Sequence, residues 1–121
     1  MAFEADDGES IESSSRIFFR HVTSNTGNGF RSSTGIFTAP YAGLYLFAAR
    51  ICEKRSYTFS IHKDGYIMIE QDVILSDTTT CYSLTRVIYL DVGDMVDVHI
   101  SIESPYLKRY VGSTFSGYLI K

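Results

Sequence analysis

The chain has 121 residues, 45% of them hydrophobic, with nine tyrosines, eight phenylalanines and no tryptophan. That is the length of one domain with enough apolar content for its own core, and the ring-rich composition favours pleated, half-buried surface over helix. A formal net charge of −3 argues against the basic surface that nucleic acid or an anionic membrane requires, and no apolar run is long enough to cross a bilayer.

Ala2-Phe3-Glu4 already reads as structured sequence. No signal-peptide pattern is visible, so Met1 is expected to have been added to a mature domain. The polar stretch 6–15 is expected to be an exposed loop. From there, apolar and polar residues alternate in short segments bounded by turn residues. Residues 17–22 form the first strand, ended by Asn25-Thr26-Gly27-Asn28-Gly29. A short strand over 35–39 stops at Pro40. Residues 44–52 are apolar on both faces, as in a central strand. Residues 57–63 alternate cleanly into Asp64-Gly65, a hairpin signal, and a partner strand starts at Ile67. Strands over 82–90 and 95–102 flank the turn Asp91-Val92-Gly93-Asp94. A loop is expected over 104–112 and a closing strand over 114–120. No segment reads as a helix. Roughly eight to ten short strands mean a sandwich, barrel or jelly roll, here as one domain over residues 1–121.

Two stretches carry a family resemblance. Ile17-x-Phe19-x-x-Val22-x-x-Asn25 is followed by Gly35-x-Phe37-Thr38-Ala39-Pro40-x-x-Gly43-x-Tyr45-x-Phe47. Later come Leu90-x-x-Gly93-Asp94-x-Val96-x-Val98 and Ser113-Thr114-Phe115-Ser116-Gly117-Tyr118-Leu119-Ile120. Together they resemble the signature of complement C1q-like globular heads over nearly the whole chain. The resemblance implies an all-β, ten-stranded jelly-roll sandwich like that of tumour necrosis factor, packed as a homotrimer, secreted, and acting by binding rather than catalysis. Members often carry a collagen stalk before the head; this sequence holds no Gly-X-Y repeat, which leaves either a stand-alone head or an excised domain. Phe19, Phe37, Tyr45, Phe47, Phe115 and Tyr118 are the expected core and trimer aromatics. Phe115 and Tyr118 fall on opposite faces of the last strand, which suits an outer face covered by a neighbouring subunit. A monomer with all six in its core is the alternative.

In the jelly-roll order, the strand ending at Cys52 lies antiparallel to the one starting near Cys81. The two thiols are then cross-strand neighbours within reach of a disulfide, the alternative being two unlinked buried thiols. The same order sends loops 53–56, 76–80 and 104–112 to one end, opposite the termini. Loops on a rigid scaffold are where recognition sits. Lys54, Arg55, Tyr106, Lys108, Arg109 and Tyr110 are therefore the candidate ligand-binding residues, as cations beside rings suit anionic groups and sugars. A solvated, charged loop is the plain alternative.

No catalytic constellation is present. His21, His62 and His99 fall in separate predicted strands without metal-ligand spacing, and each is expected on a strand surface. No cofactor is expected beyond calcium, for which Asp94 is the candidate. The basic Lys108-Arg109 pair, and Met95 where many relatives have Gln, weaken that transfer. The resemblance points first to a pattern-recognition protein of innate immunity, lectin-like, binding microbial surface glycan or lipopolysaccharide. The alternatives are a cytokine-like or synapse-organiser-like ligand for a protein receptor, and an extracellular-matrix head.

Overall fold

The computed structural model describes residues 1–10, 14–53, 55–74, 78–102 and 108–121, with the backbone alone for residues 10, 14, 15 and 108–111. Its strands are β1 (Ala2–Ser10), β2 (Ser14–Arg16), β3 (Phe18–Thr26), β4 (Phe30–Arg31), β5 (Ile36–Thr38), β6 (Gly43–Glu53), β7 (Tyr57–Lys63), β8 (Tyr66–Val73), β9 (Thr80–Leu90), β10 (Met95–Ile102) and β11 (Lys108–Leu119). They form two antiparallel sheets. One has the order β3-β1-β11-β6-β9, and the other β4-β5-β10-β7-β8 with β2 also paired to β10.

The core is set by period-two alternation. On β6, Tyr45, Phe47, Ala49 and Ile51 point inward, and on β10 Val96, Val98, Ile100 and Ile102 do the same. Between the sheets, Phe3, Phe37, Phe47 and Phe115 form a cluster of rings with Phe3 at its centre. Phe3 stacks on Phe37 at 4.9 Å and meets Phe115 edge-on at 5.0 Å. Burying each of these rings contributes about 1.5–3 kcal/mol. The Tyr45 ring is fully buried, yet its hydroxyl escapes an unsatisfied burial by donating to the Tyr41 carbonyl at 2.6 Å.

The predicted hairpin at Asp64-Gly65 is present, with both residues at positive φ (50° and 86°) as a type I′ turn requires. Gly43 opens β6 close against residues 119–121. A Cβ there would lie 2.5 Å from the Lys121 carbonyl oxygen, so the close approach of the chain's last residues demands glycine.

The expected all-β jelly-roll sandwich is present, with eleven strands among the described residues, β2 and β4 being short members of the second sheet. Two expectations are corrected. The polar stretch beginning at Asp6 is not a loop through Ser10. It belongs to β1, an inner strand paired on one side with β3 and on the other with β11. The register with β11 shifts at Asp7, whose φ is 61°: this one residue of β1 stands against residues 111–113 of β11, which carries the extra residues. Lys108, Arg109 and Tyr110 are not loop residues either, since their backbone pairs with Ser10, Glu9 and Gly8 at the start of β11.

Candidate functional site

The outer faces of the two sheets differ in character. On the first sheet, Tyr118 of β11, Leu46 of β6 and Val87 of β9 form one cross-strand row, with Leu44 and Tyr89 paired beside it. Val87, Tyr89, Tyr118 and Ile120 are each about half exposed. Tyr118 is thus open to solvent in the single chain, while Phe19, Phe37, Tyr45, Phe47 and Phe115 lie wholly in the core.

The second sheet turns polar side chains outward. Ser60 and His62 alternate with the inward Phe59 and Ile61 on β7, and Asp97 and His99 alternate with Val96, Val98 and Ile100 on β10. The register pairs His62 with Asp97 and Ser60 with His99. The His62 and His99 rings consequently lie on the diagonal, stacked at 3.9 Å and 6° from parallel. On the far side of β10, Arg16 of β2 pairs with His99.

A single carboxylate oxygen organises this cluster. Asp97 Oδ2 accepts from Arg16 Nε at 2.7 Å and lies 3.1 Å from His99 Nε2. Ser60 Oγ lies 2.8 Å from His62 Nε2. Burial alone would raise the Asp97 carboxyl, but the hydrogen bond and charge of His99, joined by those of Arg16, hold it below its ordinary value. Burial pushes the His62 imidazole below its ordinary value, and the neighbouring His99 adds to that. The stacked rings separate two shallow recesses. One, of about 230 Å³, is lined by Arg16, Asp64, Asp97 and both histidines. The other, of about 180 Å³, is lined by Ser60, Glu70 and the same histidines. One donor atom each from His62, Asp97 and His99 lies within 4.8 Å of the other two. Two imidazoles and a carboxylate suit a metal ion.

The other candidate residues are placed as follows. Lys54 and Tyr106 lie outside the described residues. Arg55 is held by Glu53, its Nη2 at 3.3 Å from Oε2 of a carboxylate that is itself buried, so its guanidinium is not a free cation. The strand ends that flank the three predicted loops do share one end of each sheet: Glu53 pairs with Thr80 on β9, and Tyr57 pairs with both Val73 and Ile102. Cys52 and Cys81 are joined as a disulfide. Asp94 braces its own turn, accepting from the Asp91 backbone N–H at 2.8 Å with Lys63 Nζ 3.8 Å away. It is not part of the three-residue donor group found among the described residues.

A model of the C1q domain matches residues 2–120. The chain belongs to the C1q domain family. Such domains are non-enzymatic ligand-binding or structural modules that generally form trimers and are typically secreted, and the chain is not an enzyme. Among solved structures, the globular domain of zebrafish complement 1qA protein superposes with a TM-score of 0.81 at 20% identity, covering 99% of this chain and 96% of that one. The likeness shows the fold. Among characterised proteins, the heavy metal-binding protein HIP of Mytilus edulis is 28% identical over 131 aligned positions. This C1q domain spans 60% of that relative's length and is itself covered to 99%. Among the described residues, no helix is long and apolar enough to cross a membrane.

The histidine pair was missed in the sequence because its members are far apart in the chain. Each half left a signal: Ser60-x-His62 and Asp97-x-His99 both place their polar residues on one face of a strand. Only the pairing of β7 with β10 brings the halves together.

Proposed function

We propose that this C1q domain is an extracellular capture module that assembles as a homotrimer and binds anionic or glycan surfaces of microbes through one end. The observation that carries the assembly is the outer face of the first sheet. Tyr118, Leu46 and Val87 in one row, with Leu44, Tyr89 and Ile120 beside them, leave an apolar surface unburied in a single chain, and contiguous apolar patches mark contact surfaces. Three copies then present three weak sites together, and avidity supplies the strength. The start of β11, which carries Lys108, Arg109 and Tyr110, is the surface proposed to meet the ligand.

Light scattering tests the assembly: three times the 13.6 kDa chain mass is expected, and a monomer at micromolar concentration contradicts it. A glycan and lipopolysaccharide array, repeated with Lys108→Ala and Arg109→Ala, tests the ligand surface. Binding that these changes leave untouched overturns that part.

A second ligand class has its own support. The name of the mussel relative and the His62, Asp97 and His99 donor group both favour capture of a metal ion.

A further inference from the structure

We propose that His62, Asp97 and His99 bind one divalent transition metal ion of the zinc and copper class, and that Arg16 holds the Asp97 carboxylate until the ion displaces it. This rests on the metal-capture reading and assigns its donors, its metal class and its competitor.

The donor set selects the metal. Two imidazoles and one carboxylate suit zinc, copper and nickel, whereas calcium takes six to eight oxygens. The geometry is within reach. Tetrahedral zinc at 2.0–2.1 Å from each donor sets donor spacings of about 3.3 Å. The three donor atoms already lie within 4.8 Å of one another, so closing the site asks for movements of at most about 1.5 Å. The β7 and β10 backbones are locked by their ladder. The movement therefore falls to side-chain torsions, which tilt the stacked rings towards a common point. Asp64 and Glu70 line the two recesses and add negative charge. The recesses leave space for a water or a ligand atom in the remaining coordination position.

Arg16 sets the threshold. Its Nε hydrogen bond falls on the same Asp97 oxygen that His99 approaches, and its Nη1 donates to the Thr34 carbonyl at 3.4 Å. An arriving cation competes with a guanidinium already in place, which weakens binding and makes the affinity sensitive to Arg16. The site also sits on the outer face of the second sheet. An assembly that covers the apolar face of the first sheet leaves it open.

The test is calorimetric titration of the tag-free chain with zinc chloride, with calcium chloride as the control. One zinc ion per chain is expected and no calcium. His62→Gln and His99→Gln should each weaken zinc binding about tenfold or more. Arg16→Gln should tighten it several-fold, and His21→Gln should leave it unchanged. In the wild-type chain, imidazole ¹⁵N shifts on zinc addition should be confined to His62 and His99, a reading that needs no variant to fold. Zinc bound as tightly by the double variant H62Q/H99Q, or shifts at other residues, overturns the site while leaving metal capture standing. A wild-type chain that takes up neither zinc nor copper at millimolar concentration overturns both.

Discussion

Cys52 on β6 and Cys81 on β9 stand opposite each other in register and are joined as a disulfide. The bond closes a loop with a sequence separation of 29 residues. It also lies under the start of β11, since a Cβ on Gly112 would come within 3.3 Å of Cys52 Sγ. It therefore braces the end of the sandwich at which the proposed ligand surface lies. In the chain-entropy account, a loop of this length contributes about 3–4 kcal/mol. The double change Cys52→Ser, Cys81→Ser should lower the urea-unfolding free energy by that amount, and a reducing agent should do the same to the wild type. Equal urea midpoints with and without reductant contradict this.

The apolar sheet face makes a prediction about mass. Val87 is half exposed and sits in the Tyr118–Leu46–Val87 row. Val87→Glu places three carboxylates in the proposed subunit contact, where unpaired charge is costly. Sedimentation velocity should show the trimer of the parent chain replaced by a folded monomer. A trimer unaffected by the change would place the contact elsewhere.

Gly117 makes a packing prediction. A Cβ at this position would lie 2.7 Å from Phe47 Cδ1 and 2.8 Å from Phe3 Cε1, inside the ring cluster. Gly117→Ala should cost about 1–3 kcal/mol through overpacking. Gly65 is the contrasting case: an added Cβ meets nothing within 4 Å, but φ is 86°. Gly65→Asn should be nearly neutral, because asparagine tolerates that backbone. Thermal melts of the two variants compare contact with conformation directly.

Tyr57 makes a prediction about alkaline pH. Its hydroxyl donates to the Ile51 carbonyl at 3.2 Å inside the core. Burial, with the charges of Glu53 and Tyr82 nearby, pushes its pKa from 10.0 up to about 12. The folded value exceeds the unfolded one, so the contribution is complete below pH 10 and is lost as pH rises through 12. Its size is at most about 2–3 kcal/mol. Tyr57→Phe should lose about 1 kcal/mol at neutral pH, for the unmet Ile51 carbonyl. It should also be spared the extra loss that the wild type suffers between pH 10 and 12. Parallel urea curves for the two chains across that range would show the phenol to be uninvolved.

Much of the fold was legible in local pattern. The alternation along β6 and β10 and the paired glycine-type backbone at Asp64-Gly65 are properties of short segments. β1 was legible only in its first residues. Asp6-Asp7-Gly8-Glu9-Ser10 has poor strand propensity, and it is a strand because β3 and β11 offer it hydrogen bonds on both edges. Lys108, Arg109 and Tyr110 joined β11 for the same reason, their partners being residues of β1.

The sequence by itself determined which residues face the core, because side-chain direction along a strand follows from period two alone. It also carried the signature that placed the chain in its family. Only the tertiary structure decided that His62 and His99 stack beside Asp97 and that Arg16 reaches the same carboxylate. Those contacts depend on which strands lie side by side and in what register. That pairing is settled by burial of the whole sandwich, not by any segment within it.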